Sequence, residues 1–92
     1  MTLNSAEVIV RTYISDLGLK LGVELLLIND QTIEFNSGWA FFYNSLKYVE
    51  GGSISDALAG NAPRIVSKVD GTVHITGTAQ PIEDYIREFE RR

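Results

Sequence analysis

The 92-residue chain has no cysteine, one histidine, one tryptophan and two prolines. Without cysteine it can form neither disulfides nor thiolate metal sites, and its fold is indifferent to redox compartment. One histidine leaves a zinc site short of its three or four ligands. Long apolar runs are missing too, and no segment approaches the roughly 20 residues a membrane-spanning helix needs. The start, Met1-Thr2-Leu3-Asn4, lacks the basic region and apolar run of a signal peptide. A soluble cytoplasmic protein is the expectation. At this length there is material for one core, so a single domain over residues 1–92 is expected.

Basic residues are outnumbered, eight Lys and Arg against twelve Asp and Glu, for a net charge of −4. Between residues 20 and 64 lie Glu24, Asp30, Glu34, Glu50 and Asp56 against Lys47 alone. Those five acids and one base account for the whole net charge, so the two ends are balanced and the middle is acidic. Phosphate binding needs Lys and Arg gathered on one face, so nucleic acid is excluded as an expected partner. A basic protein face is favoured. Each of these carboxylates taken singly also reads as ordinary solvation charge.

Residues 3–17 have the spacing of an amphipathic helix, with Ala6, Ile9, Val10, Tyr13, Ile14 and Leu17 on one stripe. Asn4 and Glu7 form a capping-box pattern, Leu3 and Val8 a hydrophobic staple, and Gly18 a stop. Its polar face carries Glu7, Arg11 and Asp16 rather than a basic stripe, so a membrane-surface role is not expected. Residues 21–28 read as a strand, Asn29-Asp30-Gln31 as a turn, and residues 32–36 as the antiparallel return. Gly38 suggests a bulge, and residues 39–44 a further strand or the same one after a kink. Residues 47–56 read as a loop, with a short helix possible at 55–59. Pro63 opens a strand to Val69, Asp70-Gly71 is a strong hairpin signal, and residues 72–76 return. Pro81 starts the last helix, where Ile82, Tyr85, Ile86 and Phe89 form a stripe at i, i+3, i+4 and i+7.

Strict alternation puts Trp39, Phe41 and Tyr43 on one strand face and Ala40 and Phe42 on the other. Large apolar groups on both faces require a cover on each. A loop over residues 47–61 could supply the second cover; otherwise a partner protein or a second copy of the chain would, making a homodimer possible.

The residues offer little chemistry. His74 lies mid-strand between Val73 and Ile75, which suits a packed or solvent-facing side chain better than a base. No serine sits in a nucleophile elbow. Glu83 and Asp84 occupy a first helical turn, where the helix dipole accounts for them. The glycines form no phosphate-cradling loop. An enzyme is not expected, and no catalytic residue, metal ligand or cofactor is assigned. In Gly60-Asn61-Ala62-Pro63 the asparagine can bond nearby backbone, and in Gly77-Thr78 the pair can make a tight connection; an exposed contact role for Asn61 is the second reading.

The aromatic run at Trp39, Phe41 and Tyr43, Gly60-Asn61-Ala62-Pro63, Asp70-Gly71, Gly77-Thr78 with Pro81, and the Tyr85 helix occur together in order. At these residues the chain resembles the YrhB-like family, also called the immunity protein 35 family of bacterial polymorphic toxin systems. The likeness covers roughly the last two thirds of the chain, and the first helix matches in type and position. It implies a small α+β protein with Trp39, Gly60, Pro63, Gly71, Gly77, Thr78 and Pro81 in structural roles. Many members are encoded beside secreted toxins, often of papain-like peptidase fold, and are inferred to neutralise them. Another branch is a heat-induced protein with proposed chaperone-like behaviour. The likeness transfers no binding surface, because one fold can meet unrelated toxins through different patches.

The expected fold is therefore α+β, an antiparallel sheet of four to five strands with the N-terminal and C-terminal helices on one face. Val23, Leu25, Ile33, Ile65 and Val73 are expected in the core. The candidate partner-binding residues are Glu34, Phe42, Glu50, Asp56 and Asn61, and the expected partner is a cognate toxin.

Overall fold

An apolar residue at every fourth position gives a helix one continuous side to bury, and Ala6, Val10 and Ile14 do this with Gly18 in helix α1, Leu3–Leu21. The computed structural model of the chain describes residues 1–52 and 62–91. The stripe expected at 6, 9, 10, 13, 14 and 17 faces the core, with Ile9, Tyr13 and Leu17 flanking the buried line. α1 starts at Leu3 as expected, but its cap is not Asn4 and it runs past Leu17 to Leu21. Thr2 is the N-cap, its hydroxyl accepting from the Ser5 amide at 3.2 Å. Leu3 and Val8 are exposed and form no buried staple. Gly18 does not stop the helix; a Cβ there would lie 2.5 Å from the Val23 carbonyl oxygen, so glycine permits the returning chain to pass. The left-handed stop falls one turn later, at Gly22 with φ of 70°.

That extra turn shortens the following strand to β1, Leu25–Leu27, and leaves Val23 exposed rather than in the core. Residues Asn29–Gln31 make a 3-10 turn, followed by β2, Ile33–Phe35, and β3, Gly38–Phe41. The chain breaks at Phe42 and resumes as β4, Tyr43–Ser45. The stretch 32–44 is thus three strands, and Gly38 opens β3 opposite Phe35 rather than forming a bulge. The expected hairpin of 21–28 with 32–36 is absent. β1 pairs antiparallel with β4, and β2 pairs with β3 across Asn36 and Ser37. The break at Phe42 makes this possible, because its carbonyl accepts from the Ile28 amide at 2.8 Å while Glu24 accepts from Leu46 at 2.9 Å.

Helix α2, Leu46–Gly51, replaces part of the expected loop, capped by the Ser45 hydroxyl, which accepts from the Tyr48 amide at 3.1 Å. The expected short helix at 55–59 lies outside the described residues, as do Asp56, Gly60 and Asn61. Strands β5, Arg64–Ser67, and β6, Val73–Ile75, complete a four-stranded sheet in the order β2-β3-β5-β6. Pro63 stands just before β5, and its carbonyl accepts from the Thr76 amide and hydroxyl. The turn at Asp70 and Gly71 is present, with Gly71 at φ of 71°. Asp70 accepts from the Thr72 amide and hydroxyl, at 3.0 and 2.7 Å.

The register assigns the two sheet faces. Trp39 stands opposite Val66 and Val66 opposite Val73, so these share a face with Phe41, and α1 covers it. Ala40 stands opposite Ile33 and Ile65, and Ile65 opposite His74, on the other face. Helix α3, Ile82–Glu90, packs there. The Phe89 ring centre lies 5.0 Å from that of His74 and 6.0 Å from that of Phe35, and Ser37 donates to Glu90 at 3.0 Å. The terminal helices therefore lie on opposite faces, not together on one. Apolar groups on both faces require this, and α3 supplies the second cover expected of a loop or partner. Its stripe of Ile82, Tyr85, Ile86 and Phe89 is half-buried. Of the remaining expected core residues, Ile65 is fully buried and Leu25, Ile33 and Val73 are half-buried.

Candidate partner-binding surface

The acidic middle is spread over separate elements. Glu34 on β2 is exposed, but its carboxylate lies 2.8 Å from the Lys68 ammonium, so its charge is largely compensated. Lys68 also lies 5.1 Å from the centre of the Trp39 ring, giving a Glu34, Lys68 and Trp39 strip along the sheet. Glu50 is exposed on α2. The structure brings Glu34 and Glu50 onto no common element, and Asp56 and Asn61 fall outside the described residues. Phe42 is half-buried at the break between β3 and β4.

Of the residues expected in structural roles, Gly60 lies outside the described residues. Trp39 is 2% exposed. Gly77 lies against Tyr85, where a Cβ would meet the phenol oxygen at 2.5 Å. Thr78 is exposed, and Pro81, with φ of −60°, stands immediately before α3.

Reading the sequence missed Arg64. It is only 8% exposed, and its guanidinium lies 5.5 Å from the Tyr13 ring centre and 5.4 Å from that of Tyr43. One arm donates to the Ala62 carbonyl at 2.5 Å, while its Nε is buried with no hydrogen-bond partner among the described residues. Burial pushes the Tyr43 hydroxyl above its ordinary titration range, and the Arg64 charge opposes that rise. Alternation was the available signal, since Arg64 shares strand parity with Val66 and so had to point towards α1.

Asp70, Thr72 and His74 form a chain on the exposed β5–β6 side, with Thr72 Oγ1 2.7 Å from His74 Nε2. Hydrogen bonds from the Thr72 hydroxyl and amide hold the Asp70 carboxyl below its usual range. Among the described residues no group of three or more His, Cys, Asp or Glu side chains could hold a metal ion. No helix among them is long and apolar enough to cross a membrane.

An open groove of about 560 Å³ runs between α1 and β1. Its walls are Ser15 and Leu19 on one side and Leu25, Leu26 and Leu27 on the other, and Arg11 and Glu24 are its charged residues. Leu19 is 80% exposed, and Leu21 and Val23 nearby are exposed as well.

The family profile described as "Immunity protein 35" matches residues 4–88. The chain is 41% identical over 56 residues to a protein of Escherichia coli (strain K12) described as "Uncharacterized protein YrhB". That match takes in 61% of this chain and 60% of the relative's length. No solved structure matches the chain.

Proposed function

Because the chain belongs to the immunity protein 35 family, we propose that it binds a cognate bacterial toxin in the cytoplasm and neutralises it by contact, without catalysis. The observation that carries this reading is the family match over nearly the whole domain, including both terminal helices. The local chemistry agrees with it. Arg64 is taken up by two tyrosine rings and a carbonyl, and His74 by Thr72 and Phe89. A toxin of papain-like peptidase fold is the expected target class, from the family's usual neighbours.

The test is coexpression with the toxin domain encoded beside the gene. Growth should be restored, and the two chains should copurify as a defined complex. Unrelieved toxicity with no complex would overturn the proposal. A holdase role is the second reading, and the exposed side chains of Leu19, Val69 and Ile75 are what favour it. Suppression of aggregation by many unrelated unfolded proteins, with no toxin complex, would move the conclusion there.

A further inference from the structure

The backbone of β1 has an open side. In the β1–β4 pair the Glu24 carbonyl accepts from Leu46 and the Ile28 amide donates to Phe42, with Leu26 opposite Asn44 between them. Antiparallel pairing alternates inward and outward groups. The N–H and C=O groups of Leu25 and Leu27 therefore turn away from β4, and they have no hydrogen-bond partner among the described residues. Sheet edges are ordinarily guarded by charge, proline or a bulge. β1, three consecutive leucines, has none of these and is guarded only by its shortness. β2, by contrast, carries Glu34 paired with Lys68.

The geometry points to an extended segment of the partner toxin as the occupant of the groove between α1 and β1, added to β1 as a further strand. This inference rests on the proposed function and supplies its surface. The outward amides and carbonyls specify a strand rather than a helix, since a helix has already used its own backbone groups. The groove specifies the side chains. Leu19, Leu25 and Leu26 line it, and its charges, Arg11 and Glu24, stand towards opposite ends of β1. Arg11 belongs to the Asn29 end, where it donates to the Asn29 side chain at 3.1 Å. The fitting segment is apolar and uncharged at its centre.

The experiment uses the full chain, isotopically labelled, and the toxin domain encoded beside its gene as the probe. In the free protein the Leu25 and Leu27 amides should exchange faster than that of Leu26. In the complex both should slow by at least about tenfold, the scale of one added net hydrogen bond. Leu25→Pro removes an outward donor and no bond of the β1–β4 pair, and Leu19→Lys places a charge on an exposed wall. Each should weaken binding by about tenfold. If Leu25→Pro fails to fold, the exchange measurement and Leu19→Lys decide. A complex with unchanged exchange at Leu25 and Leu27 and full-strength binding by Leu19→Lys overturns the inference while leaving the proposed function intact. Failure of the wild-type chain to bind the toxin overturns both. A homodimer that Leu25→Pro converts to monomer identifies a second copy as the occupant and also overturns the inference.

Discussion

The guanidinium of Arg64 lies 5.4 Å from the centre of the Tyr43 ring, and Arg64 forms no ion pair among the described residues. A buried cation ordinarily requires a carboxylate, but here two aromatic faces and one carbonyl compensate it. Such an arrangement contributes little net stability, since desolvation offsets the attraction. Arg64→Met, similar in length and apolar, should leave stability within about 1 kcal/mol of wild type or raise it. Arg64→Ala should cost about 2 kcal/mol or more through the cavity it leaves. Urea unfolding of the two variants separates charge from volume. The methionine variant should also move the Tyr43 titration further up, because burial remains and the opposing charge is gone.

Trp39 and Phe42 occupy different surroundings, and truncation should tell them apart. Trp39 is buried against α1, so Trp39→Ala should cost about 3–5 kcal/mol. Phe42 is half-buried, and Phe42→Ala should cost clearly less, about 1–2 kcal/mol, by the area it removes from contact. If Phe42 also meets the toxin, the complex should weaken by about 2 kcal/mol or more beyond that change. Equal losses of stability would remove Phe42 from the binding surface.

The acidic residues should act on the rate of association more than on stability. Reversing Glu34, Glu50 and Asp56 to lysine should slow binding of a basic toxin face and flatten its salt dependence. Glu34 should contribute least of the pair Glu34 and Glu50, because Lys68 already compensates its charge. Stopped-flow association at several salt concentrations checks both statements. Unchanged kinetics in the triple variant would remove electrostatic steering.

Asp70 gives a pH dependence of known sign. Hydrogen bonds from Thr72 lower its folded-state titration. A depressed carboxylate contributes stability that is fully present above its unfolded pKa and is lost as pH falls through the folded one. Removing the hydroxyl with Thr72→Val should return the Asp70 titration towards the ordinary range, read by carboxyl NMR shifts. The share of the acid-side loss of stability that comes from Asp70 should shrink with it, so the acid limb becomes shallower. A titration that does not move would show that the backbone amide alone holds the carboxylate.

What could be read from the sequence is what depends on neighbours along the chain. The stripes of α1 and α3, the turn at Asp70 and Gly71, and the side shared by Trp39, Phe41 and Tyr43 follow from periods of 3.6 and 2 and from backbone freedom. Each is decided within a few residues. The tertiary structure alone decided the rest, because the determining contacts join distant segments. Gly18 suits a helix stop locally, but it serves the close passage of the Val23 carbonyl instead. β1 pairs with β4 rather than with its nearer neighbour, which no local pattern in three leucines could indicate. α3 took the face opposite α1 because Phe35, Ile65 and His74 needed a cover there, although its own stripe fits either side. The open edge of β1 is a consequence of the same pairing, so the candidate binding groove became visible only with the fold.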